Sequence, residues 1–290
     1  MKLKEIIERV MQGIFVACGM VSIASVALIT IYMLIAGMPA IIEVGPIDFL
    51  FGTVWQSTSK DPKFGILPFI LTSVWGMVGA LIIGVPVGVF TAVFLAKLAP
   101  AKVAAMVRPA VELLAGIPSV VYGLIGMIVL VPAVMDTFNL KSGACLLSAI
   151  LVLTIMVLPN IISVSETALR AVPKEYEEAS LGLGATWIET VFKVSIPAAK
   201  SGIVAGIVLG AGRAVGEAMA VMMVAGNVAN MPGLFKSVRF LTTAVASEMS
   251  YAAEGSLQRN ALFSIGLVLF FFIMLINWTL QKFLKRGDNL

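Results

Sequence analysis

Six stretches of this chain are too long and too apolar to fold as ordinary soluble helices: about Met11–Ala36, Gly65–Ala96, Pro109–Val131, Cys145–Thr167, Gly202–Ala225 and Asn260–Phe283. Each passes the roughly 18 apolar residues that mark a membrane span. A backbone in lipid must satisfy its own polar groups, and no alternating barrel pattern is present, so the spans are read as helices. Composition agrees. Only 12% of the residues are charged, against about 25% in soluble domains, and mean hydropathy is +1.04. The expectation is an all-α, polytopic membrane protein.

Charge placement orients the spans. With the N-terminus inside, thirteen cations fall on inner segments: Lys2, Lys4 and Arg9; Lys97, Lys102 and Arg108; Arg170, Lys174, Lys193 and Lys200; Lys282, Lys285 and Arg286. Six fall outside, and Arg213 sits within a span. The bias predicts that both termini are cytoplasmic. The basic, apolar N-terminus is read as a retained span, because the run exceeds the roughly 7–15 residues of a signal-peptide core. Cys18 and Cys145 are expected to be buried, inert thiols. Residues 227–259 are expected either to re-enter the bundle or to pack as a loop on its outer face.

Ionisable groups inside a bilayer are costly, at least about 2.5–3.5 kcal/mol each at the midplane, and they mark structure or function. Glu112, Glu166, Arg213 and Glu217 are such groups. Glu166 lies near the cytoplasmic end. Arg213 and Glu217, four residues apart, are expected to share a helix face and to pair. Either they lock helix packing, or they line a translocation path in which the arginine fork holds an oxyanion. Gly202, Gly206 and Gly210 recur at a spacing that favours close helix contact, as do Gly212 and Gly216. Pro118 and Pro159 are expected to bend the spans that hold them.

No phosphate-cradling P-loop, G-x-S-x-G, H-E-x-x-H or C-x-x-C motif is present, and histidine is absent. Membrane-embedded enzyme chemistry is therefore poorly supported. No internal repeat supports a secondary transporter, although Glu112 and Glu217 would be its candidate ion carriers.

Between Pro173 and Pro197 lies a segment of different character. Glu175, Glu177, Glu178 and Glu189 surround an apolar stripe of Ala179, Leu183, Trp187, Val191 and Val194. Proline and acids open a first short helix, Gly182 and Gly184 permit a sharp break, and a second short helix ends at Pro197. Such a unit can lie on a membrane or dock into a partner's groove.

Glu178-Ala179-Ser180, then Gly184, then Val194-Ser195-Ile196-Pro197 resemble the EAA motif of ABC importer permeases, with matching spacing and mild changes at Ser180, Val194 and Ile196. "ELLAGIPSVVYGLIGM" and "GRAVGEAMAVMMVAGN" further resemble the permeases of high-affinity phosphate importers, the C-type subunit more than the A-type. The resemblance implies a type I importer permease of six transmembrane helices with the MetI-like fold and cytoplasmic coupling helices. It divides the chain into a first span with its outer loop (1–64), a permease core (65–284) containing the coupling segment 173–200, and a cytoplasmic tail (285–290). It further implies a second permease subunit, two copies of a cytoplasmic ATPase and an external phosphate-binding protein. ATP would bind to the ATPase and not to this chain, and no cofactor is expected. Glu178, Ala179, Gly184 and Pro197 would serve ATPase coupling; Arg213, Glu217 and Glu112 would serve the translocation pathway. Molybdate or sulfate remains an alternative cargo.

Overall fold

The computed structural model describes residues 2–287; of the tail 285–290, residues 288–290 lie outside the described residues. The chain is helical apart from one two-stranded hairpin. In order run α1 (Lys2–Val44), α2 (Pro46–Phe51), β1 (Trp55–Gln56), β2 (Lys63–Phe64), α3 (Leu67–Val93) and α4 (Ala101–Gly116). Then come α5 (Ser119–Ile125), α6 (Val131–Thr137), α7 (Leu146–Arg170), α8 (Lys174–Gly182), α9 (Trp187–Thr190) and α10 (Ile196–Ala198). The last are α11 (Lys200–Gly216), α12 (Met219–Val224), α13 (Leu241–Glu248) and α14 (Leu257–Gly287). Three wider π turns, Phe94–Leu98, Gly126–Leu130 and Val191–Ser195, continue α3, join α5 to α6 and join α9 to α10.

Among the described residues five helical segments are long and apolar enough to cross a bilayer: Ile7–Val44, Leu67–Leu98, Ser119–Thr137, Leu146–Arg170 and Leu257–Thr279. Trp187–Ala198 and Lys200–Gly216, bent by 68° at their junction, pass the same test only together, which brings the number to six if the bent pair is one span. Two expected boundaries are corrected. The third span is Ser119–Thr137 rather than 109–131, because Pro118 does not bend a continuous helix. Instead Ile117, the residue before it, is forced extended (φ −67°, ψ 128°), α4 ends, and Pro118 starts α5. The expected fifth span 202–225 is likewise interrupted, at Glu217, which is extended (φ −73°, ψ 126°) between α11 and α12.

Helix α7 is the central post, buried along most of its length against α3 and α11. Its bulky Ile150, Val157 and Ile161 meet small residues on both neighbours. A Cβ added at Gly79 of α3 would sit 2.6 Å from Ile150, and one at Gly202 of α11 only 2.3 Å from Ala168. A Cβ at Gly206 or Gly210 would meet α7 at 3.2 and 3.1 Å, so these three glycines serve helix approach, whereas Gly212 and Gly216 face open space. Helix α1 packs chiefly on α14, with Gly37 against the Ser264 backbone and Tyr32 edge-on to Phe263. Cys18 is exposed, contrary to expectation, as are the residues on either side of it in α1; Cys145 is buried.

The segment between α12 and α14 folds back into the bundle. Its Phe240 ring fills the space left by Gly76 of α3, and the Leu241 N–H donates to Ser73 Oγ at 3.1 Å. Glu248 ties it to the β-hairpin, accepting from Trp55 Nε1 at 3.0 Å, from Ser57 Oγ at 2.8 Å and from Arg239.

Candidate functional site

Two regions hold the residues singled out from sequence: the paired helix breaks inside the bundle, and the segment α8–α10 with the helix ends beneath it.

The breaks at Ile117–Pro118 and Glu217–Ala218 lie on adjoining elements. Helix α5 packs on α12 so closely that a Cβ at Gly123 would stand 2.8 Å from the Ala220 Cα. Tyr122 Oη donates to the Leu114 carbonyl at 2.7 Å and so spans the α4–α5 break. Arg213 lies in the last turn of α11, one turn before the break at Glu217. The expected Arg213–Glu217 pair does not form. The helix stops at Gly216, so the i, i+4 geometry is lost. Glu217 is used otherwise: its Oε1 accepts from Ala220 N–H at 3.1 Å, opening α12, and its carbonyl accepts from Thr242 Oγ1 at 2.7 Å. Among the described residues Arg213 has no salt-bridge partner. Glu112 is not in a span. It is exposed on α4 and borders two clefts, one of about 310 Å³ beside Arg108, Glu166 and Arg170, the other of about 590 Å³ beside Leu113 and Pro118.

Glu166 is buried, not free at an interface: its Oε1 accepts from Arg108 Nε at 2.5 Å and from Arg170 Nε at 2.9 Å. Sequence pattern singled out the glutamate but not the arginines, because α4 and α7 are 58 residues apart where they meet.

The segment α8–α10 forms two short helical arms, as expected. Gly184 supplies the turn with φ +91°, a conformation that costs an L-residue about 1–2 kcal/mol. Thr186 and Glu189 form a reciprocal capping box at the start of the second arm. The expected apolar stripe does not hold together. Val191 is buried, but Leu183 is 90% exposed and Ala179 is exposed, because the glycine turn rotates the arms relative to one another. Pro197 does not stop the second arm; it opens α10, and the chain turns at Ala199. Glu178, Ala179, Gly184 and Pro197 are all exposed, and Tyr176, Leu183, Ile188 and Phe192 add apolar surface around them. The carboxylate that secures the segment is Glu177. It is buried, 2.6 Å from Lys97 Nζ, and accepts from Ser195 Oγ at 2.7 Å. Its signal in the sequence was faint: Lys97 is 80 residues away on α3's continuation.

Residues 84–287 match the family described as binding-protein-dependent transport system inner membrane component. Over 272 residues the chain is 40% identical to the probable ABC transporter permease protein YqgH of Bacillus subtilis, covering 91% of this chain and 88% of that one. The chain belongs to this permease family. It is thus a multi-pass inner membrane protein, a non-catalytic permease subunit of a binding-protein-dependent ABC importer, which implies ATPase and binding-protein partners. The permease is also 36% identical over 269 residues to the phosphate transport system permease protein PstC of Pasteurella multocida, covering 83% of each chain. Its fold matches the permease of the MetNI methionine ABC transporter in an inward-facing conformation, with TM-score 0.57 and 22% identity over 77% of this chain and 94% of that one.

Proposed function

We propose that this permease carries inorganic phosphate into the cytoplasm and that Arg213 meets the anion on its path. The observation that carries the reading is a guanidinium that has no counter-ion among the described residues, in the last turn of α11 before one of two adjoining helix breaks. Intramembrane charges face cavities, and a free arginine fork can donate two parallel hydrogen bonds to a tetrahedral oxyanion. Relatives bearing the name of a phosphate permease support this cargo over other oxyanions. Glu217 holds the break in shape from behind, and Glu112 borders the route on the α4 side. A second permease subunit completes the pore, an external phosphate-binding protein delivers the cargo, and both termini face the cytoplasm, where the cation excess lies. The test is uptake of labelled phosphate by cells that carry the intact importer. Unlabelled phosphate should compete, and molybdate and sulfate should not; competition by either of those instead would reassign the cargo.

The segment α8–α10 is the ATPase docking unit in this reading. Exposed Leu183, Ile188 and Phe192 around a rigid glycine turn suit a groove on a soluble partner. Gly184→Asp would strain the turn and place a charge in that contact. Retention of the ATPase on pull-down should fall about tenfold while membrane insertion stays normal; unchanged retention would count against docking at this turn.

A further inference from the structure

The cytoplasmic end of α3 is built around a carbonyl that its own helix cannot satisfy. In the π turn Phe94–Leu98 the Ala99 N–H donates to the Phe94 carbonyl at 2.7 Å, not to Leu95, its partner in a regular α-helix. The next residue, Pro100, has no N–H to offer. The Leu95 carbonyl is therefore left over, in a residue only 2% exposed, and such a group is costly unless another donor reaches it. Two guanidiniums do. Arg108 Nη2 of α4 donates at 3.3 Å and Arg170 Nη2 of α7 at 3.1 Å, while both direct Nε to the same Glu166 oxygen. Two residues further along the same π turn, Lys97 binds the docking unit twice: its Nζ pairs with Glu177 of α8, and its carbonyl accepts from Trp187 Nε1 of α9 at 3.2 Å.

One turn of backbone thus joins the docking unit to α7 and to α4, the helix that leads into the Ile117–Pro118 break. We propose that this π turn, with Arg108, Glu166 and Arg170, is the joint through which movement of the docking unit is imposed on the transport path. The arginines are positioning residues: they act on α4 and α7 and touch no cargo. The bonds are directional and charge-assisted, so the parts they join move together. An apolar contact in the same place would let the helices slide. The proposal rests on the ATPase docking described above.

Arg108 is the residue to change, because Arg170 remains to neutralise Glu166 and the fold is retained. In the importer reconstituted in vesicles with its ATPase and binding protein, Arg108→Gln should leave ATPase retention and ATP hydrolysis unchanged. Phosphate transported per ATP hydrolysed should fall about tenfold, as expected for loss of hydrogen bonds to a charged group within a coupled system. Arg108→Lys keeps the charge near Glu166 but cannot fork to the Leu95 carbonyl, so it should also lower the ratio. An unchanged ratio in both variants would overturn the joint. Loss of ATPase retention in either would overturn it too, by making Arg108 a support for docking. If the wild-type permease failed to retain the ATPase through α8–α10, the docking reading itself would fall.

Discussion

Arg213→Gln should reduce phosphate uptake at least about tenfold, and up to about a hundredfold, in a protein that inserts and assembles normally. Glutamine keeps a hydrogen-bond donor but is shorter and removes the charge and the fork, which for a bond to an anion is worth about 1.5–3 kcal/mol. The structure makes the substitution informative. Among the described residues Arg213 neutralises no carboxylate, so its removal strands no charged partner there, and burying a neutral amide in a span is less costly than burying the ion. Stability should therefore hold or rise as transport falls. A purely structural arginine would give the opposite pattern, with lost insertion or a lower melting temperature. Normal uptake by well-inserted Arg213→Gln protein would remove Arg213 from the path.

Lys97→Met should destabilise the docking unit by about 3–5 kcal/mol, the usual consequence of leaving one member of a buried ion pair alone. Both side chains are only 9% exposed, and Glu177 would retain just the Ser195 hydroxyl. Hydrogen exchange over residues 174–198 should accelerate while the spans stay protected, and ATPase retention should fall with it. The double change Lys97→Met with Glu177→Met should recover most of the loss, since two packed apolar groups need no solvation. Acid should act on the same pair. Burial raises the Glu177 carboxyl, but hydrogen bonds from Lys97 and Ser195 and the charges of Lys97 and Lys174 outweigh it and hold the group below its ordinary value. A carboxylate depressed by folding contributes stability that is complete above its unfolded pKa and is lost as pH falls through the folded one. Loosening of the docking unit is therefore expected as pH falls below the ordinary glutamate range and through the depressed folded value, and Glu177→Gln should abolish that acid step. Protection of residues 174–198, taken relative to the intrinsic exchange rate at each pH, that does not fall in acid in the wild type, or that is unaffected by Lys97→Met, would exclude this role for the pair.

Particular residues show where sequence reasoning stops. Gly202, Gly206 and Gly210 announced a close helix contact by spacing alone, and α7 fills it. Gly184 announced a turn because φ +91° suits only a residue without a side chain. Arg213 was conspicuous because a lone charge within an apolar run has no local reason to be there. Each of these signals is local: a period, a missing Cβ, a charge out of place. Glu177 and Glu178 differ by one position, and nothing in their surroundings distinguishes them. Glu178 carries the family motif and is exposed, while Glu177 meets Lys97 and is buried. Which of two neighbouring acids turns inward depends on what the far chain brings to that face.

The same division runs through the whole protein. Hydropathy and chain length determined a helical bundle in a bilayer, because a backbone in hydrocarbon has few other ways to satisfy itself. A glycine turn and its flanking helix starts determined the two short arms of residues 174–198. Tertiary structure decided the rest: that the helix breaks at Pro118 and Glu217 lie on adjoining elements, that the Arg213–Glu217 pair is given up to a helix end, and that Leu95 offers its carbonyl to two arginines. Those outcomes rest on contacts between segments as far apart in sequence as Leu95 and Arg170, 75 residues. Their energies depend on ångström distances that no periodicity in one segment encodes.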